Sequence, residues 1–254
     1  MITIISPAKT LDFDSKVQTS EHSIPDFLKD SKLLIEELRK LKPSEISELM
    51  SVNDNLANLN FERFAKWKTP FNTNNAKQAL LAFKGQVYVG LDAKTFSESD
   101  LKFAQDKLRI LSGLYGILRP LDLIQPYRLE MGTNLDNPKG KNLYEFWGNK
   151  ITESINKELG KKENKVLINL SSNEYYRAIN HKEIKGDIIT PVFKESKGDK
   201  FKVIAVYAKT ARGLMSRFII KNRIEKPEDI KAFDLDGYLF NQSLSGEKQW
   251  VFTR

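Results

Sequence analysis

The position of the first strand is the feature that most constrains the fold. Residues 2–5, ITII, form a short β-branched run that predicts a core strand, whereas the other strand patterns dominate only beyond residue 160. The part between them is helix-rich and contains no repeat, low-complexity segment or linker. An N-terminal strand would most simply pair with the later strands. We therefore predict a single mixed α/β domain over residues 1–254, with a helix-rich N-terminal part joined to a mixed β-sheet.

Helical spacing of apolar residues predicts most of the elements before residue 160. One helix should start at Pro25, a second at Pro43 and a third over residues 54–66, and TNNAKQALLAFKG predicts a fourth. QVYVGLDA is compatible with a short strand or an extended turn. SESDLKFAQDKLRIL predicts a helix that opens with a capping box of Ser97 and Asp100. KNLYEFWGNKITESINKEL predicts a further helix, interrupted near its glycine.

β-branched and aromatic residues predict the strands of the last part. KVLINL is typical of a buried strand, and SSNEYYRAI after it of a strand-to-helix turn. DIITPVFKE and KFKVIAVYAK predict an antiparallel hairpin joined by SKGDK. TARGLMSRFIIKNRI predicts a helix, KPEDIKAF begins another element at a proline, and GYLFNQSLSGEKQWVFTR predicts a C-terminal hairpin.

Composition excludes several classes of function. The absence of cysteine excludes disulfides, Fe–S clusters, zinc–thiolate sites and thiol redox sensing. The two histidines, His22 and His181, lie in polar stretches that are typical of the surface, so we expect no metal and no other cofactor. No run reaches the roughly 18 apolar residues of a membrane span, and the N-terminus lacks the pattern of a signal peptide. We expect a cytoplasmic protein, with a monomer favoured.

A basic excess points to an anionic partner. The chain carries 41 Lys and Arg against 33 Asp and Glu, a net charge of +8. The stretch YAKTARGLMSRFIIKNR contains basic residues and no acid, and Lys209, Arg212 and Ser216 should share one helical face, with Arg217 extending the basic character. The alternative is a solvated helix face. Phosphate contacts need a surface of this kind.

Three segments carry candidate catalytic residues. SPAKT follows the first strand and places Lys9 near the carboxyl end of that strand, where open α/β sheets tend to bind ligands. LINLSSNEYY repeats this arrangement with Glu174. In PYRLE, Arg128 and Glu130 should point to the same face, where they would pair or bind one ligand together. The alternatives are helix-capping serines, a solvated lysine and a structural ion pair.

The segment LSGLYG matches the hairpin L-x-G-h-x-G of the helix-hairpin-helix motif, where h is apolar. Glycines let phosphate oxygens approach backbone N–H groups closely. We predict a helix-hairpin-helix-like element over about residues 98–125, although Pro120 requires its second helix to begin late or be short and irregular. The alternative is an ordinary turn. The predicted DNA contacts of this element are Lys107, Ser112, Gly113, Leu114, Tyr115, Gly116 and Arg119.

Six segments in their order resemble the YaaA family of peroxide-stress proteins: ISPAKTLDF, FKGQVYVGL, LSGLYGILRPLDLIQPYRLEMG, LYEFWG, INLSSNEYY and YAKTARGLMSRFII. The resemblance covers nearly the whole chain. It implies a cytoplasmic protein that acts in hydrogen peroxide stress, limits oxidative damage to DNA and lowers free intracellular iron. It also implies DNA binding through a helix-hairpin-helix element beside a positively charged cleft, and the hairpin of that element maps onto residues 112–116. It implies no particular enzymatic reaction.

Two functions follow from the sequence. The first is a protein that binds the backbone of double-stranded or branched DNA with little sequence specificity. The alternative is an enzyme that acts on DNA or a nucleotide in a pocket built from the SPAK, PYRLE and SSNE segments. Convergence of Lys9, Arg128, Glu130 and Glu174 in one pocket would favour the enzyme.

Overall fold

The computed structural model describes residues 1–17, 19–198 and 200–254. Its strands are β1 (Ile2–Ile5), β2 (Thr10–Leu11), β3 (Lys77–Gln78), β4 (Phe83–Lys84), β5 (Leu108–Ser112), β6 (Gly116–Leu118), β7 (Leu123–Ile124), β8 (Val166–Leu170), β9 (Asp187–Lys197), β10 (Lys200–Lys202), β11 (Leu239–Phe240) and β12 (Gln249–Thr253). Its α-helices are α1 (Leu28–Leu38), α2 (Pro43–Met50), α3 (Asp54–Lys66), α4 (Ala79–Ala82), α5 (Gln86–Leu91), α6 (Glu98–Lys107), α7 (Leu143–Trp147), α8 (Lys150–Leu159), α9 (Asn173–Tyr176) and α10 (Ala205–Lys221).

One mixed sheet holds the molecule together. Its strands follow the order β11-β12-β9-β8-β1-β5-β6, and β10 pairs with the last residues of β9. The strands from β12 to β5 run parallel, whereas β6 and β11 are antiparallel to their neighbours. Two short ladders, β2 with β4 and β3 with β7, lie outside this sheet. No described helix is both long enough and apolar enough to cross a lipid bilayer.

The N-terminal strand pairs with the later strands as predicted. β1 lies between β5 and β8, in a register that places Thr3 beside Leu108 and Ile168. All four of its residues are buried, as expected for a central strand covered on both faces. The chain is therefore a single mixed α/β domain, and the carboxyl ends of β1 and β8 lie at the same edge of the sheet.

Local signals placed many elements correctly. α2 and α3 have the predicted bounds, and the capping box of Ser97 and Asp100 opens α6. The break between α7 and α8 falls at Gly148, which has a φ of +48° and ends the first helix because glycine tolerates that conformation. β8, the turn into α9 and the C-terminal hairpin of β11 and β12 are also confirmed.

The predicted helix-hairpin-helix element is wrong. α6 ends at Lys107, and LRILS forms β5, which pairs with β1 on one side and with antiparallel β6 on the other. A short run of buried apolar residues suits a central strand as well as a helix, so its pattern alone does not distinguish them. None of residues 113–142, all of them described, is helical. LSGLYG is therefore the turn of a β-hairpin.

Three further predictions differ from the structure. QVYVGLDA forms helix α5 instead of a strand or turn, because it packs on α10. KFKVIAVYAK is a strand only at β10, since α10 already begins at Ala205. TNNAKQALLAFKG is helical only in α4 and pairs as β3 and β4 on either side. Residue 199 of the predicted SKGDK connection lies outside the described residues.

Candidate functional site

The three predicted segments meet in one pocket at the carboxyl edge of the sheet. The cavity has a volume of about 590 Å³. SPAKT follows β1, SSNE follows β8, and PYRLE crosses between them, while α5 and α10 close the remaining sides. All four candidate catalytic residues line this cavity, as do two of the predicted DNA contacts. These lining residues are Lys9, Arg128, Glu130, Glu174, Lys209 and Arg212.

Two serines fix the loops that follow β1 and β8. The Ser6 hydroxyl donates to the Ser172 hydroxyl at 3.2 Å and accepts from the Ser172 backbone N–H at 2.8 Å. The Tyr88 hydroxyl of α5 donates to the Ser6 carbonyl at 3.1 Å. The two strand ends and α5 are therefore held by reciprocal hydrogen bonds, which gives the pocket a defined wall.

Glu130 forms ion pairs with two of the candidate residues, Lys9 and Arg128. Its Oε1 lies 3.0 Å from Lys9 Nζ and 2.9 Å from Arg128 Nη2. The ion pair predicted for Arg128 and Glu130 is therefore present. The Lys9 side chain is 62% exposed, in agreement with the alternative of a solvated lysine. Its ammonium lies partly in solvent, beside the Glu130 carboxylate.

Glu174 forms hydrogen bonds that join two segments beside the pocket. Its carboxylate accepts from the Gly132 backbone N–H at 3.0 Å, and its own carbonyl accepts from the Tyr144 hydroxyl at 2.9 Å. The residue therefore links α9 to the loop after PYRLE. It lines the cavity at the same time, so its free carboxylate oxygen remains available to a ligand.

Three tyrosines form an aromatic wall. Tyr88, Tyr127 and Tyr175 are each at least 92% buried and all line the cavity. Burial raises the pKa of each hydroxyl above its ordinary value, so all three stay protonated near neutral pH. Tyr127 shares a 2.6 Å hydrogen bond with Ser112. The wall is neutral, and its rings offer apolar surface.

Helix α10 supplies a basic wall. Lys209 and Arg212 lie one turn apart and both line the cavity. Arg217 lies outside it and donates to the Leu91 and Asp92 carbonyls, so its contacts are those of a helix-to-helix link. Ser216, predicted to share the basic face, is buried and donates to the Arg212 carbonyl. Only the first part of the predicted basic face reaches the pocket.

The LSGLYG hairpin does not face solvent, because it packs against PYRLE and α7. Its six residues, 111–116, are all buried. A Cβ at Gly113 would lie 2.3 Å from the Leu129 carbonyl, so only glycine lets PYRLE pass so close. The Gly113 carbonyl accepts from Trp147 Nε1 at 2.9 Å. The prediction of glycine N–H groups presented outward to phosphate is wrong, because PYRLE and α7 cover the turn.

The flanking charges predicted for this hairpin lie elsewhere. Lys107 ends α6 near the amino end of β1 and pairs with Glu225 at 2.7 Å and with Asp106 at 3.3 Å. Arg119 pairs with Asp122 at 2.9 Å and with Asp26. Neither side chain lines the pocket. Each pairs with one carboxylate near it in sequence, Asp106 or Asp122, and with one from a distant segment, Glu225 or Asp26. The sequence pattern does not reveal the distant partners.

Replacing Gly116 with alanine should destabilise the fold by about 2 kcal/mol, through its positive φ and overpacking. The residue has a φ of +69°, and a Cβ would lie 2.8–3.0 Å from the Trp147 ring. Urea denaturation would measure the effect, and Gly198→Ala, with a φ of +61° and no described atom within 4 Å of its Cβ, is the matched control. Equal urea midpoints for the two variants would mean that the Trp147 ring moves aside without a loss of stability.

Several pocket residues were not singled out from the sequence. Lys84, Gln86 and Tyr88 line the cavity from the segment between β4 and α5. Gly85 brings this segment against SPAK, since a Cβ there would lie 3.1 Å from that of Ala8. The block FKGQVYVGL carries these residues, but its short helix gave no chemical signal. Among the described residues, no three Asp, Glu, His or Cys side chains cluster to hold a metal ion.

Comparison with known proteins gives matches over the whole chain. The profile of the family described as "Peroxide stress protein YaaA" matches residues 1–244. A UPF0246 protein of Hahella chejuensis is 54% identical over 254 residues, which cover 100% of this chain and 99% of that protein. A UPF0246 protein of Cellvibrio japonicus is 53% identical over 254 residues, with 100% and 98% covered. A family profile and relatives that agree over this length leave one conclusion: the chain belongs to the YaaA family of peroxide stress proteins.

Proposed function

We propose that this protein binds DNA during peroxide stress through the pocket at the carboxyl edge of its sheet. The convergence of SPAK, PYRLE, SSNE and the basic wall of α10 in one cavity carries the proposal. The cavity is lined by five basic side chains and two carboxylates, an excess of three positive charges: Lys9, Lys84, Arg128, Lys209 and Arg212 against Glu130 and Glu174. A surface with this excess favours phosphates.

The proposed contacts are to the DNA backbone. Lysine and arginine bind phosphates independently of sequence, so we expect double-stranded or branched DNA to bind with little sequence preference. The buried LSGLYG hairpin contributes indirectly, because Gly113 positions the PYRLE segment. We place the protein in the cytoplasm as a monomer, where bound DNA is protected from oxidative damage.

Replacing Lys209 with methionine tests this proposal. The affinity for a labelled duplex should fall, and the slope of log K against log salt should become shallower by about 0.9, as expected when one phosphate contact is lost. Fluorescence anisotropy over a range of salt concentrations measures both. Lys29→Met is the control, because Lys29 is exposed on α1 and outside the cavity. Equal slopes for the two variants would remove the pocket from the DNA interface.

Limitation of free intracellular iron is the second effect that we propose, as a consequence of the same activity in the cell. Low-temperature electron paramagnetic resonance of peroxide-treated cells measures this iron. Cells that carry the Lys209→Met variant should contain more of it than cells that carry Lys29→Met. If the iron signals of both strains match that of the wild type, the iron effect does not pass through the pocket.

An enzyme acting on DNA or a nucleotide is the alternative, favoured by the contact of Lys9 and Arg128 with one carboxylate oxygen. Lys9, Arg128, Glu130 and Glu174 all line the cavity, a grouping of acids and bases common in active sites. Incubation with DNA and with nucleotides, followed by product analysis, tests it. A product that forms with the wild type and not with Glu130→Gln would establish the enzyme, and no product would leave the binding protein.

A further inference from the structure

The cations that line the pocket differ in how their charges are balanced. Glu130 lies within 3.0 Å of both Lys9 and Arg128. Lys84, Lys209 and Arg212 have no carboxylate within 4.0 Å in the described part of the chain. The cavity therefore holds neutralised cations and cations with free positive charge.

Arg212 is the most buried of these three unbalanced cations, since Lys84 and Lys209 are exposed and Arg212 is half-buried. Burial lowers the pKa of its guanidinium. The buried Arg109, by contrast, lies 3.0 Å from Glu158. The Arg212 guanidinium donates no hydrogen bond to any described residue, and its nitrogens keep contact with solvent. A bidentate anion such as phosphate in the cavity would satisfy these donors.

A second polar group in the pocket is also without a partner. Arg128 has 16% of its side chain exposed, and its buried Nε finds no hydrogen-bond acceptor among the described residues. The same residue lines the cavity. Buried donors are normally satisfied, so the Arg128 guanidinium keeps unused hydrogen-bonding capacity beside the cavity.

The tyrosines of the same cavity suit a heterocyclic base. Tyr88, Tyr127 and Tyr175 are 5–8% exposed and present the accessible part of their rings as apolar surface. The amides of Gln86 and Asn173 line the same cavity and supply donors and acceptors. Contact of a base with aromatic side chains is independent of sequence. Anion and aromatic sites thus lie within one cavity.

The volume of the cavity matches a ligand of the size of a single nucleotide. About 590 Å³ falls within the roughly 300–1,000 Å³ typical of small-molecule sites. A whole DNA duplex does not fit inside a cavity of this size, so its phosphates would contact the exposed lysines Lys9, Lys84 and Lys209 from outside. One nucleotide that has left the base stack does enter, as in enzymes that act on extruded bases.

We propose that the pocket binds one nucleoside monophosphate unit, with the phosphate on Lys209 and Arg212 and the base against the tyrosine wall. The inference rests on the proposed function where the nucleotide is one that has been extruded from bound DNA. A free nucleotide presents the same groups.

Calorimetric titration of the full-length protein with the four deoxynucleosides and their 5′-monophosphates tests the ligand class. The monophosphates should bind at least tenfold more tightly than the nucleosides, a difference of about 1.4 kcal/mol. Arg212→Met should bring this ratio close to one, whereas Lys29→Met should leave it unchanged. A urea midpoint for Arg212→Met shows that the variant folds, and Lys209→Met provides a second variant. Equal affinities for nucleosides and monophosphates, or no binding of either at millimolar concentration, would overturn the proposal.

DNA with and without one unpaired nucleotide distinguishes the two sources. If DNA supplies the ligand, a duplex with a single unpaired nucleotide should bind about tenfold more tightly than a fully paired one, and a monophosphate should compete for this gain. If a free nucleotide is the ligand, the monophosphate binds and the unpaired nucleotide adds nothing. Salt-sensitive duplex binding without monophosphate binding would reject the inference and leave the proposed function intact. Monophosphate binding without any DNA binding would reject the proposed function alone.

Discussion

Replacing Gly213 with alanine should destabilise the protein by about 3 kcal/mol, at the upper end of ordinary overpacking. A Cβ at this position would lie 1.9 Å from the Val87 carbonyl oxygen and 2.8 Å from the Leu91 backbone nitrogen. Both atoms belong to the backbone of α5, so no side-chain rotation relieves the contact. The two helices must separate, or α10 must bend.

Such a separation should also weaken ligand binding. α10 carries Lys209 and Arg212, and α5 carries Tyr88, which is hydrogen-bonded to the Ser6 carbonyl. Moving one helix relative to the other therefore displaces the basic wall from the tyrosine wall. We expect the affinity for DNA to fall even where the variant is fully folded.

Urea denaturation and DNA titration at low temperature measure the two effects. Gly246→Ala is the matched control, because a Cβ at Gly246 meets no described atom within 4 Å and the residue has no positive φ. It should have the stability and affinity of the wild type. A Gly213→Ala variant with the midpoint of this control would show that α5 and α10 are not held at backbone contact.

The sequence predicted the location of the pocket better than the chemistry of its residues. Strand ends followed by polar residues predicted the convergence of SPAK and SSNE, because parallel strands bring their carboxyl ends to one edge. Both segments do line one cavity, with Lys9 and Glu174. The exposure of Lys9 agrees with the alternative of a solvated lysine. The sequence could not decide between the two interpretations, because exposure depends on loops from distant parts of the chain.

The hairpin shows why a short glycine motif is ambiguous. L-x-G-h-x-G specifies where backbone must approach closely, without specifying what approaches it. A phosphate was expected, but the neighbours are the Leu129 carbonyl at Gly113 and the Trp147 ring at Gly116. Both come from segments more than ten residues away, and only the fold brings them to the glycines.

The balance of charges was hidden in the same way. Lys107, Arg119 and Arg212 are equivalent in a count of basic residues. Lys107 and Arg119 each pair with a carboxylate from a distant segment, Glu225 and Asp26, whereas Arg212 faces the cavity. The net charge predicted a basic protein. It did not predict which cations remain free to bind a ligand, because that depends on the carboxylates that pair with them.

Asp100→Asn should reduce stability at pH 7 by about 3 kcal/mol, the sum of two charge-assisted hydrogen bonds and part of a helix cap. The buried carboxylate lies 2.6 Å from Lys221 Nζ and 2.8 Å from Arg223 Nη2. It also accepts from the Ser97 backbone N–H at 2.9 Å, which completes the capping box of α6. One carboxylate therefore fastens the end of α10 to the start of α6.

The effect should depend on pH in a defined direction. Burial opposes ionisation of Asp100, but hydrogen bonds from Lys221, Ser97 and Arg223 lower its pKa below the ordinary 3.8. A carboxyl whose pKa is lower in the folded state contributes stability above its unfolded pKa and loses that contribution as the pH falls. The difference in unfolding free energy between wild type and Asp100→Asn should therefore have its full value at pH 7 and begin to shrink below about pH 4.

Urea midpoints at pH 7, 5, 4 and 3 measure this gap. Asp187→Asn is the control, because Asp187 is exposed at the start of β9 and has no described cation within 4.0 Å. Its curve should follow that of the wild type throughout. If the gap for Asp100→Asn stayed constant down to pH 3, its origin would be packing, and the charge of Asp100 would not be what holds α10 against α6.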